Sequence, residues 1–137
     1  MGLSMFIRAG SRGDALRNHA LAQSSDGGET WTDAVELPLP GTTCQGAVGH
    51  DPRAAPGELL LSAPSWPNAG LGGRRNVSLW TFDGSKFPAT TDPESATTVW
   101  AGAGGYSSFD TTGGEVQLLF EAGNHVYNWG IKIARIG

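Results

Sequence analysis

The sequence predicts an all-β chain of short antiparallel strands, and three observations carry that prediction. Glycine makes up 21 of 137 residues, about twice the usual share of roughly 7%. Five of these glycines fall in the tight-turn signals Asp26-Gly27-Gly28, Asp83-Gly84 and Thr112-Gly113-Gly114. Such signals close hairpins, because glycine reaches positive φ without a Cβ clash and aspartate bonds its own downstream backbone. No stretch carries a helical period, whereas short apolar runs recur between the turns. Finally, 39% of the residues are hydrophobic, with five Trp and five Phe, enough for a packed interior in a single domain spanning residues 1–137.

In chain order, the strands are expected at residues 5–9 (MFIRA), 18–24 (NHALAQS), 45–49 (QGAVG), 58–62 (ELLLS) and 76–81 (NVSLWT). They continue at 97–101 (TTVWA), 106–110 (YSSFD), 116–121 (VQLLFE) and 126–133 (VYNWGIKI). Each is an apolar or β-branched run ended by Gly, Pro, Asp or Asn. In the last, Tyr127, Trp129, Ile131 and Ile133 alternate with Asn128, Gly130 and Lys132, the period of a half-buried strand. Residues 63–73 (APSWPNAGLGG) and 88–96 read as long loops, and long loops in compact β domains tend to carry function. Strands in this number, grouped as four-stranded antiparallel meanders, make about two blades and part of another in a partial β-propeller, where a complete ring needs at least four.

Charge narrows the partners. The net charge is −4 and the arginines are scattered, so no basic stripe points to nucleic acid. No window approaches the roughly 18 apolar residues of a membrane span. One cysteine, Cys44, excludes an internal disulfide, and no Cys/His spacing suggests zinc. His19, His50 and His125 stand apart and read as surface or strand residues. The first twenty residues lack a signal peptide's apolar centre, and localisation is left open.

Several motifs carry more information. The segment SSDGGETW (hairpin 24–31) places Ser24, Asp26, Gly28, Thr30 and Trp31 in the Ser-x-Asp-x-Gly-x-Thr-Trp spacing of an Asp-box. Asp26 is expected to cap its own turn, Gly28 to take positive φ, and Trp31 to be buried over the hairpin. TFDGSKF, at 81–87, resembles a decayed copy. Arg12 ends IRAGSR, and Arg74, with Arg75 as the alternative in the doublet, precedes an NVSL strand. Tyr106 lies in GGYSSF, Glu121 in LLFEAG and Gln45 in TTCQGAV. Singly these are ordinary: a surface arginine, a core tyrosine, a strand-end glutamate. Asn76-Val77-Ser78 also matches an N-glycosylation pattern.

Taken in order, the set resembles the C-terminal portion of an Asp-box (BNR-repeat) exo-α-sialidase, a six-bladed β-propeller glycosidase, over nearly the whole chain. The resemblance implies hydrolysis of terminal sialic acids from glycoconjugates, with no cofactor or metal. It implies Tyr106 as nucleophile, Arg12 and Arg74 as ligands of the substrate carboxylate, Glu121 as a brace for an arginine, and Gln45 as a contact to the glycan. Sialidases are an exception to the two-carboxylate scheme of glycosidases. The anomeric carbon carries a carboxylate that would repel an anionic nucleophile, whereas a phenol approaches neutral and is deprotonated by a glutamate as it attacks. The planar guanidinium fork suits the substrate carboxylate. The family's first arginine, its Asp acid/base and the activating Glu are expected before Met1, and Gly10 stands where an asparagine is common. The isolated chain is accordingly expected to be inactive, and to self-associate or to need the absent N-terminal blades. The other class that fits is a non-catalytic carbohydrate-binding or scaffold module.

Overall fold

The computed structural model describes residues 2–8, 18–39, 44–65, 74–87, 95–125 and 128–137. Arg12 and Tyr127, the loop residues 66–73 and 88–94, and the side chain of Trp129 lie outside the described residues. The described residues form an all-β antiparallel structure. One sheet contains β1 (Leu3–Ile7), β2 (Ala20–Ser24) and β3 (Val35–Glu36). A second contains β4 (Ala47–Gly49), β5 (Glu58–Pro64), β6 (Arg75–Asp83), β7 (Ser95–Asp110), β8 (Val116–His125) and β9 (Asn128–Ile136), each paired with the next in sequence. No helix among the described residues is long and apolar enough to cross a membrane.

The expectation of four-stranded sheets meets a correction here, because the second sheet has six strands and curls on itself. The two strands expected at 97–101 and 106–110 are one strand, β7. Its glycines look like a turn in sequence but none of them takes a left-handed φ. They are small for packing instead: a Cβ on Gly104 would meet Val77 Cγ2 at 2.6 Å, and one on Gly102 the Trp100 Nε1 at 2.7 Å. The first half of β7 pairs with β6 and the second half with β8. Likewise β5 runs on through Ala63 and Pro64, where the sequence suggests a loop, because both pair with β6.

Packing follows from which faces are apolar. β5 and β6 are buried on both sides, which explains the unbroken run Leu59-Leu60-Leu61. On one face Leu61, Ala63, Trp80 and Phe82 join Leu21, Leu37 and Leu39 of the first sheet. On the other, Leu60 and Leu79 meet Val116, while Val77 meets Leu118, Phe120 and Ala122. The glycines around β4 let its neighbours close in. A Cβ on Gly46 would lie 2.5 Å from Phe6 Cε1 and from the Ser62 carbonyl oxygen, and one on Gly49 would lie 2.7 Å from Phe109.

β9 turns the apolar face picked out in the sequence outward. Ile131 and Ile133 are 68% and 62% exposed, whereas Ala134 and Ile136 pack against the Val77–Leu118 cluster. The neighbour decides. β8 alternates Val116, Leu118, Phe120 and Ala122 inward, and its register sets Leu118 against Ala134 and Ala122 against Gly130. Lys132, on the same face, lays its ammonium 4.8 Å from the centre of the Trp100 ring. A one-residue register exchanges every side chain between faces, so β9 follows β8 and turns its larger residues outward.

The Asp-box closes as its sequence implies. Thr30 donates its backbone N–H to Asp26 Oδ1 at 2.9 Å and its hydroxyl to Oδ2 at 2.5 Å, and Ser24 Oγ accepts from the Gly28 N–H at 2.9 Å. Those bonds, the Thr30 hydroxyl foremost, hold the Asp26 carboxyl well below its usual range. Gly27 and Gly28 have φ of 78° and 99°. Trp31 is the exception: it folds back to donate its Nε1–H to the Gly28 carbonyl at 3.1 Å, yet stays 37% exposed rather than buried. The related turn at Asp83 bonds the Ser85 N–H at 3.0 Å and pairs with Lys86 at 2.8 Å.

Candidate active site

The site begins with an irregularity in β7. Gly104 pairs with Ala122 and Ser107 with Phe120, so Gly105 and Tyr106 together oppose Glu121. Two residues against one make a β-bulge, which leaves one amide outside the ladder and re-aims a side chain. Glu121 takes up that amide: its Oε2 accepts the Tyr106 N–H at 3.0 Å. The Tyr106 ring is consequently 43% exposed, an unusual state for a tyrosine set among glycines and serines on a well-packed strand.

Arg74 arrives from the adjoining strand. Its carbonyl accepts the Gly104 N–H at 2.9 Å, and its guanidinium carbon sits 5.5 Å from the centre of the Tyr106 ring, within cation–π range. The two arginines of the doublet are placed differently. Arg75 opens β6, pairs with Ala103 and is exposed, while Arg74 reaches the tyrosine. Within β6 the register slips between Arg75 and Val77, and there Asn76 takes φ 55°, a conformation that asparagine tolerates better than most residues. Ser78 is buried and its hydroxyl donates to the Asn76 carbonyl at 3.1 Å. The apparent glycosylation pattern is therefore part of a packed strand.

Gln45 bonds to the strand that carries Tyr106. Its Nε2 donates to the Ser107 carbonyl and its Oε1 accepts the Ser107 N–H, both at 3.1 Å. The side-chain amide imitates a neighbouring strand and holds β7 where Tyr106 leaves it. The Ser107 hydroxyl is buried and meets Ser62 Oγ at 3.1 Å. Glu121 braces the tyrosine's backbone in the same way, where the sequence suggested a brace for an arginine.

Cys44, which precedes Gln45, is buried, as is His19. Burial pushes the Cys44 thiol up, opposed by the positive charges of Arg74 and Arg8. His19, 2% exposed, stacks on Phe6 at 4.8 Å, and its Nε2–H donates to the Cys44 carbonyl at 2.8 Å. Burial holds its pKa below 6.5, with Arg8 acting in the same direction. His19 is thus a core residue rather than the surface or strand residue expected. Arg8, just past β1, is exposed, and its positive charge acts on both Cys44 and His19.

The arrangement gathers Arg74, Tyr106 and Glu121, with Gln45 bonded to Ser107, the residue after Tyr106. It offers an exposed phenol beside a guanidinium, suited to a ligand carrying a carboxylate. A cavity lies elsewhere, between the Asp-box and the start of β5, at the opposite end of β1, β4 and β5. No protein-family model matches the chain, and no curated protein matches it either.

Proposed function

We propose that the chain is the tyrosine-bearing part of an exo-α-sialidase, with β1 to β3, β4 to the first half of β7, and the second half of β7 to β9 as successive propeller blades. The observation that carries the reading is the Arg74 guanidinium over the exposed Tyr106 ring at 5.5 Å, on a bulge braced by Glu121. In the proposed reaction the Tyr106 oxygen bonds to the anomeric carbon as the bond to the leaving glycan oxygen breaks. A base removes the phenolic proton, an acid protonates the leaving oxygen, and water then displaces the tyrosine with net retention. Arg74 and one arginine of IRAGSR hold the substrate carboxylate. The reaction requires in addition an acid, a base and a further arginine.

Two measurements test the reading. The chain alone should bind 2,3-didehydro-N-acetylneuraminic acid in an NMR titration, with shifts around Tyr106, and Arg74→Ala should abolish them. It should hydrolyse a fluorogenic sialoside negligibly, since general acid–base help worth roughly 10²–10⁴-fold is supplied from elsewhere. Absence of binding, or binding unchanged in Arg74→Ala, would overturn the assignment. Binding that persists without turnover in a parent carrying the remaining blades would favour a non-catalytic sugar-binding module.

A further inference from the structure

We propose that the cavity beside the Asp-box binds a neutral hexopyranoside, stacked on Trp31. The cavity has a volume of about 1030 Å³ and is lined by both sheets, with Leu3, Gln23 and Trp31 on one side and His50, Glu58 and Ser85 on the other. That is the upper end of the roughly 300–1,000 Å³ typical of small-molecule sites, room for a disaccharide. It stands away from Tyr106: β5 enters it at Glu58 and leaves toward the tyrosine at Pro64, a span of about 20 Å at roughly 3.3 Å per residue.

The lining fits a sugar for three reasons. Trp31 is a held platform. Its one polar atom is engaged by the Gly28 carbonyl, and the turn beneath is cross-bonded by Ser24, Asp26 and Thr30. The 37% of the residue that remains exposed therefore offers mainly ring carbon, flanked by Leu3, whose Cδ1 lies 3.5 Å from where a Gly28 Cβ would be. The apolar C–H face of a pyranose stacks on such a ring. Acceptors stand across the cavity. The Glu58 carbonyl accepts His50 Nδ1–H at 2.9 Å, which leaves Nε2 as an acceptor in the neutral ring, and the Glu58 carboxylate lines the same space. Hydroxyl groups are the donors that match them. The charge is also selective, because the lining holds one carboxylate and no lysine or arginine, which suits a neutral sugar and disfavours sialic acid. The proposal does not depend on the hydrolase reading.

The test is an NMR titration of the isotope-labelled chain with methyl β-galactoside, lactose and maltose, and with sialyllactose as the charged comparison. Saturable shifts of the Trp31 indole N–H and of the Gly28 and Glu58 amides by at least one neutral sugar are expected, with Tyr106 unmoved. Trp31→Ala should weaken binding by about tenfold, in keeping with the worth of one aromatic contact. Trp31→Phe should retain part of it, Glu58→Gln should weaken it with the spectrum otherwise preserved, and Tyr106→Phe should leave it unchanged. No saturable shift with any neutral sugar would overturn the proposal, as would shifts centred on Tyr106. Binding unaffected by both Trp31→Phe and Glu58→Gln would do the same, and so would sialyllactose seated at Trp31 at least as tightly as lactose.

Discussion

Arg74 and Arg75 are neighbours in sequence and opposites in setting, one over the Tyr106 ring and the other on the outer surface of a strand. Arg74→Ala is therefore expected to weaken binding of a sialic acid analogue by roughly tenfold to a hundredfold, the worth of a hydrogen bond to a charged group. Arg74→Lys should recover little of it, because a point charge does not reproduce the bidentate fork. Arg75→Ala should be neutral, and calorimetry of the three variants checks the ordering. A second prediction concerns His19. Its folded pKa lies below 6.5 because burial disfavours the charged ring, so on acidification the unfolded chain takes up the proton first. Stability is then level above about pH 6.5 and declines as the pH falls toward the lowered value. Asp83, drawn down to about 2 by Lys86 and Ser85, adds a later loss as the pH falls from about 4 toward 2. Urea midpoints across this range should show the earlier decline, and replacing His19 with Gln should remove it.

Strand by strand, legibility depended on whether one neighbour or several set the geometry. β8 was readable because its own alternation of Val116, Leu118 and Phe120 decides its facing. β9 was readable as an alternating strand, and its outward face of Ile131 and Ile133 follows from its register on β8. The glycines of β7 misled, because only the presence of Val77 and Trp100 reveals that they serve close approach and not a turn. At the site, the Tyr106 bulge and the Arg74 contact could not be foreseen from spacing, although the residue types were singled out. Two predictions belong here. Gly46→Ala should destabilise by about 1–3 kcal/mol, typical of overpacking, since its Cβ would strike the Phe6 ring and the Ser62 backbone. Thermal unfolding measures it. Ile131→Thr with Ile133→Thr should shift the chain toward monomer in sedimentation, because exposed apolar edge strands template association. An unchanged distribution would show that this face makes no contact between copies.

At the scale of the molecule, the curl of the second sheet brings β5 and β6 between the first sheet and β8, so the apolar runs of the middle strands are sandwiched on both faces. Composition and turn chemistry made the strands visible, but not this layering, which depends on pairings far apart in sequence. The unbroken course of β7 has a consequence for unfolding. Its first half is bonded to β6 and its second to β8, so neither neighbour can detach without fraying a strand that the other needs. Breathing of the two halves is coupled through one backbone. Native-state hydrogen exchange should accordingly find the amides of Val99 and Leu118 opening with one common free energy, as members of a single foldon, although they belong to different strands.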